Sequence, residues 1–60
     1  MSAKFEWYAD ENGKYHFKMK AGNGQVIAVS EPYGSKASCI SGIESVRKNA
    51  RDAEIVEAKP

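Results

Sequence analysis

Apolar and polar residues alternate strictly in two stretches near the start of the chain. Lys4 to Ala9 sets Phe5, Trp7 and Ala9 against Lys4, Glu6 and Tyr8, and Lys14 to Lys20 sets Tyr15, Phe17 and Met19 against His16, Lys18 and Lys20. A period of two in such residues predicts half-buried antiparallel strands. Gln25 to Ser30 is apolar on both faces, which predicts a third strand that is more central or covered on its second side. From Ser35 to Asn49 the period changes. Cys39, Ile43, Val46 and Ala50 follow the i, i+4, i+7, i+11 spacing of one stripe flanked by Ala37 and Ile40, the pattern of an amphipathic helix. Ala53-Glu54-Ile55-Val56-Glu57 then reads as a short strand with two large apolar residues. The order β-β-β-α-β predicts an α+β fold: a three-stranded antiparallel meander with one helix packed on one face.

The turns set the expected register. Glu11-Asn12-Gly13 and Gly22-Asn23-Gly24 each lie between strand candidates, and each suits a three-residue loop ending in a left-handed glycine. That loop pairs Trp7 with Phe17, Phe5 with Met19 and Glu6 with Lys18. At the second turn it pairs Met19 with Ile27 and Phe17 with Val29. A slip of one residue would turn whole faces over. The expected core face is Phe5, Trp7, Tyr15, Phe17, Met19, Ile27 and Val29.

Ser35 is placed to cap the helix, with Ser38 rather than Glu three residues on, so no capping box forms. Gly42 sits beside the apolar stripe in mid-helix, where glycine costs about 1 kcal/mol relative to alanine. Close approach of the backbone to the sheet or to a partner would compensate. Arg47, Lys48 and Arg51 gather where cations favour the helix dipole, and Glu44 and Lys48 have i, i+4 spacing.

Sixty residues predict a single domain, residues 1–60 with a core at about 4–57. A chain of this size buries only about 60% of its unfolded surface, and small scaffolds find support in disulfides, metals or partner subunits. Cys39 is the sole cysteine and His16 the sole histidine. An internal disulfide is therefore impossible and a structural zinc site lacks ligands, which leaves oligomerisation. Nine Lys and Arg against eight Asp and Glu give a formal charge of +1, unlike the strongly basic footprint of a dedicated nucleic-acid binder. There is no apolar run of the ~18 residues that cross a membrane, and Met1-Ser2-Ala3-Lys4 lacks a signal-peptide core. The expectation is a soluble cytoplasmic protein of bacterial type with one reduced thiol.

The chain resembles the YegP-like family of small bacterial proteins. The resemblance is carried by Lys4-Phe5-Glu6, Asn12-Gly13-Lys14-Tyr15-His16-Phe17, the run Lys20 to Ala28, Ser30-Glu31, Tyr33, Ser35-Lys36-Ala37, and above all the run Gly42 to Asn49. It spans about Lys4 to Ile55. Gly22 and Cys39-Ile40-Ser41 depart from the family's usual residues without threatening the fold. The resemblance implies a β-β-β-α-β unit, found as a tandem duplication or as two subunits, in which two units form one sheet and exchange C-terminal strands. This chain holds one copy and no internal repeat, so the resemblance points to a homodimer with Ile55 and Val56 in the exchanged strand. It brings no established activity.

Candidate chemistry is sparse. His16 alternates onto the polar face opposite Tyr8 and reads as a solvated histidine, while Cys39 lies on the apolar stripe and reads as a packed residue. Tyr8, His16, Lys18 and Lys20 share the open sheet face, a set suited to phosphate contacts and base stacking on single-stranded nucleic acid. The plainer explanation is a solubilised sheet surface, partly neutralised by Glu6. Tyr33, Ser35 and Lys36 stand at the helix start, where free N–H groups suit an anion or small ligand, although the phosphate-loop glycines are missing. No paired carboxylates, Ser–His–Asp set or metal cluster can be assembled, and no cofactor is expected. The sequence therefore predicts a non-enzymatic structural or interaction module that pairs with its own copy. The alternatives are weak nucleic-acid binding or anion binding at the helix start.

Overall fold

The computed structural model describes residues 2–59; Met1 and Pro60 lie outside the described residues. Three strands, β1 (Lys4–Ala9), β2 (Tyr15–Lys20) and β3 (Val26–Val29), form one antiparallel sheet in the order β1-β2-β3, followed by the helix α1 (Lys36–Asn49). Both hairpins turn on left-handed glycines, Gly13 at φ 79° and Gly24 at φ 88°. The two loops repeat one scheme. The Gly13 N–H donates to the Asp10 carbonyl and the Asp10 N–H to the Lys14 carbonyl, while the Gly24 N–H donates to Ala21 and the Ala21 N–H to Gln25. Glycine adopts this conformation without the steric cost of a Cβ.

The first hairpin has the expected register: Phe5 faces Met19, Glu6 faces Lys18 and Trp7 faces Phe17. The second departs from it. Lys20 faces Val26 beside the turn, but Met19 then faces Ala28 and Lys18 faces Val29, with a register shift between Met19 and Lys20. Ile27 is the extra residue, so a β-bulge replaces the expected Met19–Ile27 and Phe17–Val29 pairs. Val29 passes to the face of Lys18, and Ser30 takes the place opposite Phe17. There the Ser30 N–H donates to the Phe17 carbonyl, and the Phe17 N–H donates to Ser30 Oγ at 2.9 Å. Tyr33 continues the pairing through reciprocal bonds with Tyr15.

The helix packs over β2. Phe17, Cys39 and Ile43 are buried, and Phe5, Tyr15, Tyr33 and Ile40 pack around them. The core is smaller than the alternation implied. Trp7 lies on the helix side of β1 but stays exposed, Met19 is half-buried, and the bulge leaves Ile27 and Val29 exposed. The helical stripe is buried only at Cys39 and Ile43; Val46 and Ala50 are exposed. Ser35 caps α1 as expected, its Oγ accepting from the Ser38 N–H at 3.1 Å. Glu44 pairs with Arg47 at 3.5 Å rather than with Lys48. The strand expected at Ala53–Glu57 is not formed in the single chain: after the Ala53 N–H bonds to the Ala50 carbonyl, the tail runs on without regular structure.

Gly42 answers to Tyr33. The Tyr33 ring lies between the sheet, where it stacks on Phe17 at 6.0 Å, and the helix, where a Cβ on residue 42 would sit 2.3 Å from its hydroxyl and 2.7 Å from Cζ. The ring is rigid and its backbone is tied to Tyr15, so it has little room to withdraw. Gly42→Ala should therefore lower the urea midpoint, because overpacking of about 1–3 kcal/mol outweighs a helix-propensity gain of about 1 kcal/mol. In a Tyr33→Leu background the same substitution should turn stabilising; equal loss in both backgrounds would show that Tyr33 is not the obstacle.

Candidate functional site

The hairpin joining β1 and β2 brings together the polar groups of the open sheet face. Asp10, the last residue before the turn, organises them. Its Oδ1 accepts from the Asn12 N–H and the Lys14 N–H, both at 2.9 Å, while Oδ2 lies 2.6 Å from His16 Nε2. His16 is thus a half-buried, carboxylate-bound histidine rather than a solvated one. The Asp10 contact was not visible in the alternation, which assigns faces but not acceptors. The Asx pattern from Asp10 to Asn12 was the signal available for it. Hydrogen bonding to His16 first, and to the Lys14 backbone next, holds the Asp10 carboxyl below its ordinary range.

Tyr8 stacks on His16, with ring centres 5.2 Å apart and planes 13° from parallel, and Lys18 Nζ stands 5.8 Å from the Tyr8 ring centre. Glu6 faces Lys18 across the strands but binds two other lysines instead, the diagonal Lys20 at 3.2 Å and Lys4, two residues back on its own strand, at 3.3 Å. The Lys20 contact, then the Lys4 contact, lowers the Glu6 carboxyl from its ordinary value. Tyr8, His16, Lys18 and Lys20 therefore do share one face, but much of it is internally satisfied. Glu6 partners Lys20, and Tyr8 spends its ring on His16 and Lys18.

The helix start is similarly occupied. Ser35 Oγ accepts the Ser38 N–H and donates to Ser38 Oγ at 3.0 Å. Tyr33 points into the core, and Lys36 Nζ lies 4.8 Å from the Trp7 ring centre. Tyr33, Ser35 and Lys36 are adjacent in sequence but serve three separate contacts. Cys39 is buried. Among the described residues there is no metal-binding group of three His, Cys, Asp or Glu side chains, no cavity opens, and no helix is long and apolar enough to cross a membrane. Ile55 and Val56 stand exposed on the tail.

A depressed Asp10 pKa adds stability above its ordinary value of 3.8, and this is lost as pH falls through the lower native value. Asp10→Asn keeps an acceptor for the turn but removes the charge facing His16. Its urea midpoint should lie below that of the parent at neutral pH, and the gap should close in acid below about pH 3.8. A gap unchanged down to the acid limit would mean that the carboxylate charge is unused.

The family described as a domain of unknown function, DUF1508, matches residues 10–57. A UPF0339 protein of Treponema denticola is 65% identical over 57 residues, covering 95% of this chain and 98% of that protein. The UPF0339 protein YegP of Yersinia pestis is 49% identical over 49 residues, which is 82% of this chain but 44% of that longer relative. Among solved structures, a Haloferax volcanii protein determined by NMR superposes with a TM-score of 0.83 at 41% identity, covering 95% of this chain and 97% of the other.

Proposed function

This chain belongs to the DUF1508 family, and from that premise we propose that it works as a non-enzymatic interaction module whose first partner is a second copy of itself. The observation that carries this reading is the tail. Ile55 is 100% and Val56 69% exposed, on a segment without regular structure after the helix, in a chain whose three-stranded sheet has two open edges. Full burial of such a side chain is worth roughly 1.5–3 kcal/mol, and a core of three buried residues leaves a domain this small in need of that contribution. An exchange of tails between two copies satisfies both tails by one contact repeated about a two-fold axis. The YegP relative, with more than half its length outside the match, has room for a second unit of this size within one chain.

The alternatives rank below this reading on physical grounds. Glu6 competes with phosphate for Lys4 and Lys20, which weakens the open sheet face as a nucleic-acid platform. Ser35 caps the helix start itself, which lessens the pull of that end on an anion. The non-enzymatic part of the proposal is supported by the internal use of Asp10 and His16 in holding a turn.

Light scattering on the full chain and on a chain ending at Asp52 tests the proposal. The full chain should have twice the mass of one copy, and the shortened chain should be monomeric or unfolded. A full-length monomer that stays folded at high concentration would overturn it.

A further inference from the structure

The two hairpin loops carry the same chemically labile pair. Asn12-Gly13 and Asn23-Gly24 are each an asparagine followed by glycine, and all four residues are exposed. In such a pair the backbone nitrogen of the glycine can attack the side-chain amide carbon, because the glycine has no Cβ to obstruct the approach. The third asparagine, Asn49, lacks this arrangement. Ala50 follows it, and its Nδ2 donates to the Ser45 carbonyl at 2.8 Å within the helix.

The backbones of the two loops separate them little. Gly13 and Gly24 share the left-handed conformation, at φ 79° and 88°, and each glycine N–H donates to the carbonyl three residues back. That hydrogen bond opposes attack in both loops, since the nitrogen must give up its proton to become a nucleophile. It is slightly longer at Gly13, 3.1 Å against 2.9 Å at Gly24.

The side chains separate them clearly. At the second turn Asn23 closes the loop itself, its Oδ1 accepting from the Gln25 N–H at 3.0 Å. That bond must break before the amide can swing onto Gly24. At the first turn the same duty falls to Asp10, whose Oδ1 accepts from the Asn12 and Lys14 N–H groups. The side chain of Asn12 makes no hydrogen bond among the described residues and is free to turn onto Gly13. The Asp10 charge would oppose an anion developing at Gly13, but both its oxygens are already turned to other groups, Asn12 and Lys14 on one side and His16 on the other.

We propose that Asn12 is a site of spontaneous deamidation, and that the fold directs the reaction there in preference to Asn23. The Gly13 nitrogen bonds to Asn12 Cγ, and Nδ2 leaves as ammonia with the proton that the Gly13 nitrogen gives up. This closes a cyclic imide, which water then opens. Cleavage between Cγ and the nitrogen gives aspartate at position 12; cleavage at the main-chain carbonyl carbon gives isoaspartate there. Either product takes the formal charge of the chain from +1 to zero and sets a second carboxylate near Asp10. Isoaspartate also lengthens the main chain of a loop whose length fixes the register of β1 on β2.

Mass spectrometry on the full chain, aged in mildly alkaline buffer and then digested briefly with trypsin, reads the two loops separately. Cleavage after Lys4, Lys14, Lys20 and Lys36 puts Asn12 in residues 5–14 and Asn23 in residues 21–36. In the folded protein the mass gain of amide-to-carboxyl conversion should build up several-fold faster in residues 5–14, as expected when only the other amide must first leave a hydrogen bond. In guanidinium chloride, where neither loop is formed, the two rates should converge, since both asparagines precede glycine. Equal rates in the folded chain, or a lead for residues 21–36, would overturn the proposal. So would a lead for residues 5–14 that persists undiminished in denaturant, because neighbouring sequence rather than the fold would then direct the reaction.

Discussion

Phe17 joins the two layers of this protein, since it is the one strand residue that is buried against the helix. Phe5 meets it edge-on at 6.0 Å, Tyr33 stacks on it at 6.0 Å, and Cys39 and Ile43 complete the contact from the helix. Even its backbone is held unusually, its N–H donating to a serine hydroxyl instead of a carbonyl. With so few side chains fully buried, each neighbour of Phe17 is constrained. Gly42 has no space for a Cβ, because the Tyr33 ring that covers Phe17 occupies it. The helix accepts an unfavourable residue so that sheet and helix can approach through one aromatic ring.

A core this narrow leaves apolar surface over. Much of it lies on β3, at Val26, Ile27 and Val29, and at Ile55 and Val56 after the helix, with Trp7, Tyr8 and Val46 exposed as well. The β1 edge carries charge instead, with Lys4 and Glu6 in an ion pair, the ordinary protection of a sheet edge against pairing.

The polar groups are used locally. Asp10 spends three acceptor contacts on one turn, and Glu6 binds two lysines. Such contacts hold a hairpin whose strands alone would be marginal. They also leave the open sheet face with much of its charge internally compensated.

The sequence by itself determined the order of the three strands and the helix, though not the absence of a strand at Ala53–Glu57, together with the helix start at Ser35 and the register of the first hairpin. These follow from local causes: alternation, a capping hydroxyl, and glycines that alone enter the left-handed region at low cost. Family membership was legible for the same reason, in the run from Gly42 to Asn49. The second hairpin was not, because Ile27 bulges while Ser30 and Tyr33 take up the pairing with Phe17 and Tyr15, and alternation counts residues without counting bulges. The place of the candidate residues on one face was legible too, but not that His16 answers to Asp10 or that Glu6 passes over Lys18 for Lys20 and Lys4. Those choices, and the confinement of the core to the neighbours of Phe17, came only with tertiary structure, since they depend on which side chains meet once a helix too short to cover three strands has settled over one.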